Sequence, residues 1–307
     1  MRIAAMAAGA VGGYFGARMA AAGHDVFFIA RGANLAAIKS NGLKLESLHG
    51  DLHLAKPNVT DDPKSVGPVD IVLFAVKLWD TESAAEQTPP LVGPATRVIT
   101  LQNGVDSVER IAPILGADRT CGGAAYIASV IGSPGVIKQT SHFAKMRFGR
   151  TDKRPDATLQ AFADAGKAAK LDVDISADID VELWEKFIFL TAMAGSTTSM
   201  RAPIGVIRAD PDLRGFFRAL MEEAYAVGKA KGVALAPDFI EGRMKFLDTI
   251  EPGMKASMAH DLERGNRIEL DWLAGKVRAL GRALNIPTPA SDTVYAVLKL
   301  HRMGKQA

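Results

Sequence analysis

The stretch "MAAGAVGGYFG", residues 6–16, constrains this chain more than any other. Read from Ala7, it follows the spacing G-x-G-x-x-G with alanine in the first place: Ala7, Ala8, Gly9, Ala10, Val11, Gly12. That spacing signals dinucleotide binding only when a buried strand precedes it and a helix follows. Both flanks are present. "MRIAAM" is an apolar run of strand length, and "GGYFGARMAAAGHD" sets Tyr14, Ala17, Arg18, Ala21 and Ala22 at helical spacing, with Gly23 to close the helix. "DVFFIA" then reads as a strand buried on both faces. In such a unit Gly9 admits the pyrophosphate to the backbone, and Gly12 lets the helix pack close to the strand. The helix N-terminus offers unpaired N–H groups and a partial positive charge to the phosphates. Ala7 takes the tight-turn position, where a β-carbon is harmless at negative φ and costs about 1 kcal/mol or more at positive φ. An ordinary glycine-rich βα turn that binds nothing would carry the same letters. A secretory leader is not expected, because Gly9, Gly12, Gly13 and Gly16 interrupt its apolar stretch and Arg18 ends it.

Which dinucleotide is read at the end of the second strand. An NAD site carries Asp or Glu there, about 20 residues after the glycines, for the ribose 2′-hydroxyl. Here the strand ends "IARG", with Arg31 and no nearby carboxylate. A guanidinium suits a 2′-phosphate through paired, charge-assisted hydrogen bonds. Lys77, at the end of the apolar run "VDIVLFAVK", adds a second cation at the same edge. The expected cofactor is NADP(H).

Strand and helix signals alternate through the first half, which predicts an α/β, Rossmann-type, doubly wound parallel sheet. The strands are 69–77 and 97–104, the helices 80–86 and 106–114, and short strand-like pieces fill 122–149 around the turn "GSPG". Past residue 179 long helical periods take over, at 181–196, 212–231, 238–247, 268–284 and 290–301. The expected domains are therefore 1–177, binding NADP, and 178–307, all-helical, for substrate or dimerisation. Charge and composition narrow the partners. A net charge of +3, with no Lys/Arg cluster interleaved with aromatics, gives no reason to expect nucleic acid. No stretch approaches the roughly 18 uninterrupted apolar residues of a membrane span. The single cysteine, Cys121, fits a reducing cytoplasm. The six histidines lack metal-ligand spacing, so no metal is expected. The apolar helices of the second region are compatible with a homodimer.

Five stretches together carry a resemblance. The N-terminal glycine segment through "FFIARG", "AVK" at 75–77, "TLQNGVD" at 100–106, "LWEKF" at 183–187 and "SMAHDLERGNRIELDWLAG" at 257–275 together resemble the ketopantoate (2-dehydropantoate 2-) reductase family over essentially the whole chain. The resemblance implies NADPH-dependent reduction of a small 2-keto acid to a 2-hydroxy acid, within pantothenate biosynthesis. It also implies roles. Lys186 matches the proton donor, Glu269 the acidic residue opposite it near the nicotinamide ribose, Asn103 the amide shared by cofactor and substrate, and Ser257 a substrate-contacting serine. The chemistry is consistent with those roles, since hydride addition to a carbonyl develops negative charge that a nearby ammonium stabilises and protonates. Taken alone, Lys186 reads equally as a solvated helix cation and Glu269 as a helix-surface carboxylate.

The chain departs from the pantoate-forming enzymes in two places beyond Ala7. Those enzymes carry substrate-contacting asparagines four and eight residues after the catalytic lysine, where this chain has Leu190 and Ala194. Positions i, i+4 and i+8 share a helix face, so the wall beside Lys186 is expected to be more apolar and to suit a more apolar keto acid. Two other functions remain open at this level: an NADP-binding sensor without catalysis, and a β-hydroxyacid-type dehydrogenase.

Overall fold

The computed structural model describes residues 1–305. The chain divides into two compact units, Met1–Glu182 and Leu183–Ala307.

The first unit is built on one sheet. Its strands are β1 (Arg2–Met6), β2 (Asp25–Ile29), β3 (Leu43–Glu46), β4 (Leu52–Leu54), β5 (Asn58–Thr60), β6 (Val69–Phe74), β7 (Val92–Thr100), β8 (Thr120–Ser133), β9 (Val136–Gly149) and β10 (Asp172–Ile175). They run in the order β4-β3-β9-β8-β7-β6-β1-β2-β5, with β10 also on β9. Between them lie α1 (Ala10–Ala21), α2 (Gly32–Asn41), α3 (Thr81–Ala85), α4 (Ser107–Leu115) and α5 (Ala157–Ala168). The pairs are parallel except β8 with β9 and β3 with β4.

Side-chain alternation explains why helices cover both faces. Successive strand residues point to opposite sides. Ile3 and Ala5 enter one core with Phe15 and Met19 of α1 and Phe162 of α5. Ala4 and Met6 enter the other with Ala84 of α3 and Ile111 of α4. A strand buried on both sides must be apolar throughout, which is why "RIAAM" and "VDIVLF" read as near-continuous runs.

The expected Rossmann-type, parallel-dominated sheet is present, with one addition. The strand-like pieces of 122–149 are one long antiparallel hairpin of two 14-residue strands. Register shifts between Ile127 and Ser129, and between Ile131 and Ser133, interrupt its alternation and make it look like fragments in sequence.

In the second unit, α6 (Ile179–Ser199) enters from the first and is followed by α7 (Ile204–Ala209), α8 (Pro211–Ala230), α9 (Phe239–Thr249), α10 (Ser257–Arg264), α11 (Ala274–Leu284) and α12 (Pro289–Leu298). It has no strand among the described residues. The helical period of 268–284 is not one helix. A short 3-10 turn, Leu270–Trp272, is separated from α11 by Leu273 at φ −106°, ψ −100°. Glu269 therefore precedes the turn instead of riding on a helix surface. No helix among the described residues is long and apolar enough to cross a membrane, and no group of three or more His, Cys, Asp or Glu among them could hold a metal ion.

Candidate active site

Strand register brings four of the expected cofactor positions to one edge of the sheet. Met6 pairs with Ile29 and with Phe74, and Phe74 pairs with Thr100, so β1, β2, β6 and β7 end level. Ala7, Arg31, Lys77 and Asn103 follow one to three residues beyond those ends. The chain leaves β1 for β2 on one side and reaches β6 on the other, and in open α/β sheets ligands bind at this point.

Each glycine of the fingerprint has its own environment. A Cβ on Gly12 would lie 2.3 Å from the Ala7 carbonyl oxygen and 3.1 Å from the Ala75 Cβ, so only glycine lets α1 pack this tightly on β1 and β6. A Cβ on Gly9 would meet nothing within 4 Å. Gly9 is the N-cap of α1 and has no capping side chain. An open space over uncapped helix amides fits a pyrophosphate. Ala7 is not among the non-glycine residues at positive φ, which are Lys153, Lys170, Arg201 and Asn285 among the described residues. Its β-carbon is therefore tolerated at this φ. Ala8 is anchored by its N–H to the Ile29 carbonyl (2.8 Å), and Ala10 and Val11 begin α1.

At the β2 end Arg31 is exposed, and its Nη2 donates to Gln87 Oε1 at 2.6 Å. Lys77 is exposed as well, its Nζ 5.6 Å from the centre of the Trp79 ring. Beside it, buried Gln102 joins two strand ends. Its Nε2 donates to the Val76 carbonyl (3.1 Å) and Thr81 Oγ1 (2.8 Å), which fixes the backbone just before Lys77 and just before Asn103. Asn103 is half-buried and precedes Gly104 at φ +88°. Gln87 lies outside the motifs of the sequence, and Gln102 lies within "TLQNGVD" without a role of its own there. Gln102, a polar residue closing an apolar strand directly before Asn-Gly, carried the readable signal.

In the second unit Lys186 lies on α6, with Leu190 and Ala194 one and two turns on along the same face. Lys186 and Leu190 are half-buried; Ala194 is 1% exposed. Burial pushes the Lys186 ammonium down to about 8, while the charge of Glu269 acts in the opposite direction. Glu269 is itself buried, 6% exposed. Its carbonyl accepts from Trp272 and Leu273 N–H (3.2 Å each), so the following turn fixes its backbone. Asp271 accepts from Tyr295 Oη (2.8 Å), which ties that turn to α12. Ser257 is exposed as the first residue of α10. A desolvated lysine facing a buried carboxylate is how proteins poise an ammonium for proton transfer near neutral pH.

Family models for "Ketopantoate reductase PanE/ApbA" and its C-terminal part match residues 3–153 and 178–302. The chain belongs to the ketopantoate reductase family. Members are oxidoreductases acting on CH–OH groups. A 2-dehydropantoate 2-reductase of Mesorhizobium japonicum is 33% identical, over 97% of each chain. An uncharacterised oxidoreductase of Bacillus subtilis is 29% identical, over 99% of this chain and 100% of its own. A crystal structure of a ketopantoate reductase from Ralstonia eutropha superposes with a TM-score of 0.89 at 32% identity, covering 98% of both chains.

Proposed function

We propose that the chain reduces a 2-keto acid to the 2-hydroxy acid with NADPH, and that its preferred keto acid is more apolar than 2-dehydropantoate. The observation that carries this reading is the desolvated Lys186 ammonium under the charge of buried Glu269. A bound nicotinamide would supply the hydride to the keto carbon. As that carbon becomes tetrahedral, negative charge gathers on its oxygen. Lys186 stabilises the charge and passes its proton to the oxygen, leaving a hydroxyl and a neutral amine. Glu269 holds the lysine charged until then. The same ammonium attracts the substrate carboxylate and Ser257 offers a hydroxyl; the family resemblance gives the amide of Asn103, in the first unit, its role toward cofactor and substrate. In the first unit Ala7 to Gly12 would hold the pyrophosphate and Arg31 and Lys77 the 2′-phosphate; the family resemblance assigns Glu269 to the nicotinamide ribose.

The cofactor reading has a direct consequence. NADPH is expected to bind at least tenfold more tightly than NADH, a difference of about 1.4 kcal/mol or more. Arg31→Ala is expected to remove most of that preference while leaving NADH affinity unchanged. Calorimetric titration of both dinucleotides measures it, and equal affinities in the unaltered chain contradict it.

The substrate reading rests on Leu190, half-buried on the Lys186 face, since Ala194 is 1% exposed. Assayed by NADPH oxidation across a panel of 2-keto acids, the chain is expected to favour apolar tails over 2-dehydropantoate. Leu190→Asn, at the half-buried position, is expected to raise kcat/KM for 2-dehydropantoate by about 0.5–1.5 kcal/mol through one recovered hydrogen bond. Ala194→Asn must fit an amide into a buried place and is expected to cost stability as well. High activity on 2-dehydropantoate unmatched by apolar analogues would overturn the substrate reading and leave the reaction class standing.

A further inference from the structure

The backbone that would meet the pyrophosphate is held by a side chain outside the fingerprint. Asn34, in the first turn of α2, donates from Nδ2 to the Ala8 carbonyl (3.0 Å). Its Oδ1 accepts from the Gly135 N–H (2.9 Å), at the turn of the β8–β9 hairpin. The two bonds fix the orientation of the amide, because a flip would set NH₂ against N–H and oxygen against oxygen. Gly135 is fixed in turn, at φ +78° with its carbonyl accepting from Lys44 N–H (2.9 Å).

With its N–H on Ile29 and its carbonyl on Asn34, Ala8 is clamped from two sides. In a trans peptide the C=O and the next N–H point in opposite directions, and the Ala8–Gly9 bond is trans. Drawing the Ala8 oxygen toward α2 turns the Gly9 N–H away from it, toward the side where a Gly9 Cβ meets nothing. We propose that Asn34 is a positioning residue that presets the Gly9 amide for the dinucleotide pyrophosphate. The hairpin turn serves as its far anchor. This rests on the proposed reading that the first unit binds NADPH.

The pyrophosphate is common to NADPH and NADH, so the defect must be common too. Asn34→Asp keeps the acceptor for Gly135 and loses the donor to Ala8. Asn34→Ala loses both without adding charge. For each variant the expected result is a Kd raised at least about tenfold and by the same factor for NADPH and NADH. Affinity for adenosine 2′-monophosphate, which lacks the pyrophosphate, is expected to stay as in the unaltered chain. An Asn34→Asp chain that binds NADPH normally would overturn the proposal. So would an equal loss for adenosine 2′-monophosphate, since Asn34 would then be holding the fold and not the amide. An unaltered chain that binds neither dinucleotide would overturn the cofactor reading along with it.

Discussion

Lys186→Ala is expected to lower turnover by roughly 10²-fold or more on every 2-keto acid tried, because it removes the general acid and not a recognition contact. NADPH affinity is expected to change little, so the loss falls on kcat. The pH profile gives an independent check. The lysine is depressed from an ordinary 10.5 to about 8. Only its protonated form can donate, so kcat/KM is expected to be level below pH 8 and to fall as pH rises through that value. Glu269→Gln removes the charge that opposes the burial effect, and the falling limb is expected to move to lower pH. Full activity in Lys186→Ala, or a profile flat to pH 10, would remove the lysine from the chemistry.

The second large effect separates two glycines of one motif. A side chain at Gly12 collides with the Ala7 backbone at 2.3 Å, whereas one at Gly9 meets open space. Gly12→Val is expected to cost about 1–3 kcal/mol or more of stability by overpacking, lowering the melting temperature by several degrees, and to abolish measurable NADPH binding. Gly9→Ser is expected to leave the melting temperature unchanged or slightly raised, since serine favours the N-cap and the φ of −83° suits it. It nevertheless fills the phosphate space, so NADPH affinity is expected to fall at least about tenfold. Thermal unfolding paired with nucleotide titration distinguishes the two. If Gly9→Ser binds NADPH normally, the pyrophosphate does not lie over Gly9.

Much of the first unit was legible because a sheet covered on both faces leaves uninterrupted apolar strands, and those runs end where the ligand edge begins. Arg31 and Lys77 are legible at that edge from the apolar runs they close, whereas Asn103 enters through the family resemblance. Helix α2 is not legible in the sequence: "GANLAAIKSN" buries only Leu35 and Ile38, too few to set a period. Asn34, inside that helix, carries no sequence signal of its own. Strand β10, "DVDI", is four residues long with alternate positions exposed, and a run that short carries no period of its own. In the second unit Lys186 and Glu269 were legible only through a family resemblance. Burial makes them unusual, and burial is set by packing that local sequence does not contain. The helical period through 268–284 in fact concealed the break at Leu273 that frees Glu269 from a helix surface.

Hydride transfer itself is the central claim, and isotope labelling tests it most directly. The unaltered chain is incubated with a 2-keto acid and NADPH carrying deuterium at both C4 positions, and the product is examined by mass spectrometry and NMR. One deuterium bonded to C2 of a 2-hydroxy acid is the predicted result, formed at a much lower rate by Lys186→Ala. NADPH bound with no label reaching any 2-keto acid in the panel would contradict it.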